Sequence, residues 1–277
     1  MPRRLLLPCL LLLCPLVASA RITREINETF AATPDTTVEI DISGGPIEVT
    51  IVRGDAIEVT LKQRFATNSE SAADDIAARY EVVMEQRGDT VVAAVKRRNR
   101  TTSSWFGGGR NRMNVSAEIT CPAYVNLDLD TAGGAISVDG ETTGNVRADT
   151  AGGSIHVTGG SGHLYLDTSG SGIEVERALG KLHADTSGGS IHVRYVGPDA
   201  PDVNTDTSGG GISIGVDPRG NFDLVADTSG GGVNLDGITL SDSRFSRSHA
   251  EGRMNAGGAR LRADTSGGGI RIYAAEP

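Results

Sequence analysis

The sequence predicts an all-β protein, a single-chain β-solenoid (parallel β-helix or β-roll), and three observations predict it. The string Asp-Thr-Ser/Ala-Gly recurs at Asp130, Asp149, Asp167, Asp185, Asp206, Asp227 and Asp264, with spacings of 19, 18, 18, 21, 21 and 37 residues. A regular period of that size is the signature of stacked repeats. Aliphatic residues stand six and eight positions after each Asp, as in Ile155/Val157, Ile173/Val175 and Ile191/Val193. A second apolar pair precedes it, as in Leu164/Leu166 and Leu182/Ala184. The chain also carries 37 glycines without a Gly-x-y period, which marks many turns and not collagen. Side chains alternate along a strand, so the apolar pairs and the threonines Thr131, Thr150, Thr168, Thr186, Thr207, Thr228 and Thr265 share the inward face, while the Asp row faces out. One coil cannot bury its own aliphatics, but neighbours stacked ~4.8 Å apart can. Each coil reads strand, Gly-rich turn, strand, turn. This predicts a flattened roll, with room for a third short side in the 21-residue coils.

Taken in order, residues 1–20 read as a signal peptide. Arg3 and Arg4 precede the apolar run Leu5 to Val17, and Ala18-Ser19-Ala20 supplies a small-x-small cleavage site before Arg21. Pro8 and Pro15 interrupt the run, which is short for a membrane span. Residues 21–122 read as an N-terminal β-rich region of hairpins leading into the solenoid, and residues 123–277 as the solenoid repeats. Within the former, Asp41-Ile42-Ser43-Gly44-Gly45-Pro46-Ile47-Glu48-Val49 is an early, imperfect copy of the repeat. Strands are expected near 47–52, 56–63, 79–86, 90–96 and 112–120. One short helix is expected over Ser71 to Ala78, with Ser71 and Asp74 spaced as a capping box. Arg53-Gly54-Asp55 and Arg87-Gly88-Asp89 supply Gly-Asp for hairpin corners, which explains the two tripeptides without an integrin-type role. The 37-residue spacing leaves Ser246 to Ala256 as a degraded coil or a long loop.

The Asp-Thr-Ser-Gly-Gly-x-Ile copies, Ile119-Thr120-Cys121-Pro122 and the ending Asn255-Ala256-Gly257-Gly258-Ala259 resemble a bacterial β-strand-repeat domain of unknown function labelled "putative adhesin". The resemblance covers roughly residues 35 to 273. It implies a solenoid and a cell-envelope setting, and it brings no catalytic residues with it. The expected function is therefore that of an exported, non-enzymatic, adhesin-like interaction module in the periplasm, at the cell surface or secreted. A carbohydrate-active β-solenoid hydrolase or lyase is the alternative, and a purely structural envelope protein is the third reading.

Composition narrows the partners. The net charge is −9, and loss of Arg3 and Arg4 with the signal makes it −11, which argues against nucleic acid. Cleavage also leaves Cys121 alone among the cysteines, as a small buried hydrophobe with no disulfide partner. Trp105 is the only tryptophan and no Gly-x-Ser-x-Gly or phosphate loop occurs, so no catalytic residue or cofactor is assigned. No metal is assigned either. For the Asp ladder, repulsion of about 0.9 kcal/mol per neighbouring pair in water is outweighed by an Asx-turn hydrogen bond of about 1.5–3 kcal/mol. His156, Glu174 and His192 occupy one outward position in three coils, and the histidines lie ~9.6 Å apart, a wide bite for one ion. His163, His183 and His249 have no evident partners. The candidate partner contact is the segment between Asp89 and Glu118. There Lys96, Arg97, Arg98, Arg100, Arg110 and Arg112 occur without an acid and surround Trp105 and Phe106. Arg and Trp anchor interfaces most often. The expected ligand is an envelope or surface component, an anionic polymer or a lipid headgroup.

Overall fold

The computed structural model describes residues 21–98 and 113–276; residues 1–20, where a signal peptide is expected, lie outside them. Strands β1 (Thr23–Ala31), β2 (Thr37–Ile42), β3 (Ile47–Val52) and β4 (Ala56–Phe65) precede helix α1 (Glu70–Ala77). Strands β5 (Tyr80–Arg87), β6 (Thr90–Arg97) and β7 (Met113–Pro122) follow it. Each repeat then contributes a strand before its Gly turn and one after. These pairs are β8 (Asn126–Thr131) with β9 (Ile136–Thr142), β10 (Val146–Thr150) with β11 (Ile155–Gly160), and β12 (Leu164–Thr168) with β13 (Ile173–Ala178). Next come β14 (Leu182–Thr186) with β15 (Ile191–Val196), β16 (Val203–Thr207) with β17 (Ile212–Val216), and β18 (Phe222–Thr228) with β19 (Val233–Asp236). A hairpin, β20 (Leu240–Phe245) and β21 (His249–Met254), separates these from the last pair, β22 (Ala259–Thr265) and β23 (Ile270–Ala274).

Two sheets result. The pre-turn strands form a 12-stranded sheet in the order β20-β21-β18-β22-β16-β14-β12-β10-β8-β2-β6-β5. The post-turn strands form an 11-stranded sheet, β1-β4-β7-β3-β9-β11-β13-β15-β17-β23-β19. The coils have two sides, and the third side allowed by the longer repeats does not form. The reason is visible in the register: Ile173, Ile191 and Ile212 pair in line on one sheet, and Leu164, Leu182 and Val203 on the other. The extra residues fall in the connection from Val196 to Val203. One apolar cluster runs between the sheets from Val38 to Ile272. Cys121 lies buried in it as expected, and burial alone pushes its thiol up to about 12.

The early copy of the repeat stacks in register, with Asp41 beside Asp130 and Ile47 beside Ile136. β6 and β7 form a further coil, because β6 runs parallel to β2 and β7 parallel to β3. One feature was unforeseen and three expectations need correction. First, coil order in space is not coil order in sequence, since the β22–β23 coil lies between β16–β17 and β18–β19. Second, the long spacing holds neither a degraded coil nor a loop. β21 runs antiparallel to β18 and β20 antiparallel to β21, which caps that end of the stack. Third, Arg53-Gly54-Asp55 does not close a hairpin, because β7 is inserted between β3 and β4. Arg87-Gly88-Asp89 does join the antiparallel pair β5 and β6, with Gly88 at φ 60°. Fourth, the helix starts one residue early and has no capping box. Ser69 is its N-cap without a side-chain cap, and Asp74 instead accepts from Arg24 on β1 at 2.7 Å, beside Glu70 at 2.9 Å.

Candidate functional site

The repeat string first builds a scaffold, and its inward threonines hold the coils together. Thr150 Oγ1 donates to the Gly134 carbonyl at 2.8 Å, Thr168 to Gly153 at 2.7 Å, Thr186 to Ser171 at 2.6 Å and Thr207 to Gly189 at 2.8 Å. Each of these threonines is 1% exposed. In return the Gly189 N–H donates to Thr186 Oγ1 and the Gly210 N–H to Thr207 Oγ1, both at 3.3 Å. The turn is therefore capped by threonine, not by an Asx-turn of the Asp. Among the described residues, no ladder Asp accepts a backbone N–H. The buried hydroxyl sits closer to the turn amides, while the Asp side chain points out into water.

Eight carboxylates stand in register along the 12-stranded sheet: Asp41, Asp130, Asp149, Asp167, Asp185, Asp206, Asp264 and Asp227. Basic side chains meet the ends of this row. Lys96 lies 2.9 Å from Asp41, Arg262 Nε 2.5 Å from Asp264, and His249 Nδ1 2.7 Å from Asp227. In the middle, partial burial and then the neighbouring Asp charges push Asp130, Asp149 and Asp185 above the usual carboxylate value.

Beside this ladder runs a second outward row on the same sheet. Arg147 stacks over the Tyr165 ring at 4.8 Å, Tyr165 stacks on His183 at 4.8 Å, and Asn204 Nδ2 meets His183 Nδ1 at 3.0 Å. His183 and His249 therefore have partners, contrary to the sequence reading. Those partners lie about 20 residues away; coil register brings them to His183, and the antiparallel pairing of β18 with β21 brings Asp227 to His249. On the opposite sheet His156, Glu174 and His192 do fall in line. Glu174 is held by Arg194, at 2.6 and 3.0 Å, which lowers its pKa, and His156 Nδ1 is 3.8 Å away. Among the described residues no group of three or more His, Cys, Asp or Glu is arranged to hold a metal ion.

One buried polar centre escaped the sequence reading. Asp217 is 1% exposed, and it accepts from Tyr195 Oη at 2.6 Å, from the Arg219 N–H at 2.9 Å and from the Arg219 guanidinium at 2.7 and 2.9 Å. The Arg219 hydrogen bonds hold its carboxyl far below the usual range, against the cost of burial. It secures the turn from β17 to β18, which must cross the width of the inserted coil. The Asp217-Pro218-Arg219-Gly220 turn string was the available signal.

Of the candidate contact residues, Arg97 and Arg98 are exposed at the end of β6, with the Arg98 N–H bonded to the Arg79 carbonyl at 2.9 Å. Arg100, Trp105, Phe106, Arg110 and Arg112 lie outside the described residues. Val95 of β6 pairs with Ile42 of β2, and Ala117 of β7 pairs with Ile47 of β3. Among the described residues no helix is long and apolar enough to cross a membrane.

The chain matches no curated protein. Among solved structures it is similar to a "putative adhesin" from Bacteroides fragilis NCTC 9343, at 10% identity and TM-score 0.40, covering 91% of this chain and 97% of that one. It is also similar to a "putative cell adhesion protein" from Clostridium sporogenes ATCC 15579, at 8% identity and TM-score 0.34, covering 91% and 100%. A "putative lipid binding protein" from Parabacteroides distasonis ATCC 8503 is similar at 15% identity and TM-score 0.34, covering 91% and 96%. A family model matches residues 32–273, and the chain belongs to the Toastrack DUF4097 family.

Proposed function

We infer that this is an exported, non-enzymatic protein of the cell envelope, in which a rigid solenoid carries an adhesin-like contact for an anionic envelope component. The observation that supports the reading is the basic-aromatic composition of the segment. Six cations without an acid surround Trp105-Phe106 within a chain of net charge −9. In sequence they span the end of β6 and the stretch that leads to β7. Loops set on a rigid framework carry binding function disproportionately, and Trp and Arg are the strongest anchors. The preferred ligand class is a polymer or headgroup that presents phosphates or carboxylates. Export rests on the charged n-region, apolar run and Ala18-Ser19-Ala20 of residues 1–20.

Binding of the purified protein to isolated envelope material and to vesicles with and without anionic lipid tests the reading. Retention should fall as salt rises, since surface charge pairs are screened. A Trp105→Ala, Arg97→Ala, Arg98→Ala variant with an unchanged melting curve should lose at least about tenfold in affinity, the size expected when hot-spot residues are removed. Unchanged, salt-insensitive binding by that variant would overturn it.

A further inference from the structure

The inserted final coil carries an inference of a different kind. Strands β22 and β23 make no lateral pairing with their sequence neighbours β20 and β21. They fill a slot between β16–β17 on one side and β18–β19 on the other. Both walls of that slot repeat the chemistry found between ordinary neighbouring coils. Asp264 stands in register with Asp206 and with Asp227, Ile270 with Ile212 and with Val233, and Leu261 with Val203 and with Leu224. Thr265 Oγ1 donates to the Gly210 carbonyl at 2.7 Å, and Thr228 Oγ1 donates to the Gly268 carbonyl at 2.6 Å. The slot therefore recognises a coil of this repeat and does not depend on which chain supplies it.

The link Asn255–Gly258 ties that coil to the walls, crossing β18 from β21 on one side to β22 on the other. This link is conformationally demanding. Asn255, Gly257 and Gly258 have φ of 53°, 70° and 154°. The link is also pinned, because Asn255 Nδ2 donates to the Pro218 and Gly220 carbonyls at 3.0 and 2.7 Å. A Cβ on Gly257 would lie 2.6 Å from Asp223 Oδ1. Short links under such constraint favour exchange of the element they tether, because an open link makes the same contacts in a partner without the turn. We propose that the slot between β16–β17 and β18–β19 is an exchange site that accepts the β22–β23 coil of a second copy, giving a reciprocally swapped dimer. Such a dimer carries the segment of residues 98–112 twice and would bind a repetitive surface with two contacts in place of one.

Cysteine trapping distinguishes the closed and swapped forms. Ser213 and Arg271 are outward neighbours in register on β17 and β23, so a Ser213→Cys, Arg271→Cys variant forms an intrachain disulfide when closed and an interchain one when swapped. The variant is partly unfolded, refolded at low and at high protein concentration, oxidised, and resolved by non-reducing electrophoresis. The proposal expects intrachain bonds at low concentration and a dimer band that grows with concentration. Adding Gly257→Ala should raise the dimer fraction at least about fivefold at fixed concentration, from the cost of a left-handed conformation with a Cβ. A mismatched pair, Ser137→Cys with Arg271→Cys, should give no comparable dimer. Intrachain bonds alone at every concentration, even with Gly257→Ala, would overturn the proposal. So would equal dimer from the mismatched pair, or no bond of either kind.

Discussion

Thr186 shows how much of this fold depends on single hydroxyls. Its Oγ1 donates to the Ser171 carbonyl and accepts the Gly189 N–H, and it is 1% exposed. Thr186→Val keeps shape and β-propensity but leaves two half-buried backbone groups without this partner, so it should cost about 1 kcal/mol in denaturant melts. Thr186→Ser, which keeps the hydroxyl, should recover most of that loss. Thr was assigned inward from alternation alone. The role of cap was given to the neighbouring Asp, because residue preferences for turns do not tell which of two adjacent oxygens lies on the amide side. The His183 stack was illegible for a related reason: Tyr165 and Asn204 reach it only through the register of three coils.

At the scale of the strand, the inward and outward faces make a sharp contrast. Ile191 is fully buried between Ile173 and Ile212, and Ile191→Asp places an unpaired carboxylate in an aliphatic row. It should cost more than about 3 kcal/mol or prevent folding. Glu174 lies on the outward side of the neighbouring strand, and its ion pair with Arg194 has side-chain exposures of 40% and 64%. Glu174→Gln should therefore change stability by less than about 0.5–1 kcal/mol. Equal losses in the two variants would mean that the faces are reversed. Strand positions were legible because apolar alternation has the period of the strand itself. The helix end was less so, because Arg24, 50 residues away, engages Asp74 in place of the local cap.

Across the whole molecule the Asp ladder couples stability to pH. Asp130, Asp149 and Asp185 have pKa values raised above their ordinary 3.8, by burial first and then by Asp neighbours. A raised acid favours the folded state in its protonated form, so the stability it contributes is present below 3.8 and is lost as pH rises through the folded value. Asp217 and Glu174 act in the opposite sense, but their contribution is lost only as pH falls below their ordinary 3.8 and 4.5. From pH 7 down to about 4.5 the ladder should dominate and the melting temperature should rise. An Asp130→Asn, Asp149→Asn, Asp185→Asn variant should be more stable at pH 7 and should flatten that rise. A wild-type melting temperature that falls steadily over this range would refute the reading.

What the sequence determined by itself is the coil: two short strands, a Gly-rich turn, an inward Thr beside an outward Asp, and aliphatic rows that only stacking can bury. These are local facts, set by a period of two along the strand and by a repeat of about 20 residues. What the tertiary structure decided is which coil stacks on which. Every coil offers its neighbours the same aliphatic row, the same hydroxyl and the same carbonyl, so sequence adjacency does not dictate adjacency in space. The β22–β23 coil could enter between two earlier coils because both gave it equivalent partners, and β7 could separate β3 from β4 because it satisfied both edges. Order in such a stack is set by the connecting links, by the Asp217 clamp and by the antiparallel caps. Those depend on residues far apart in the chain, which meet only once the stack exists.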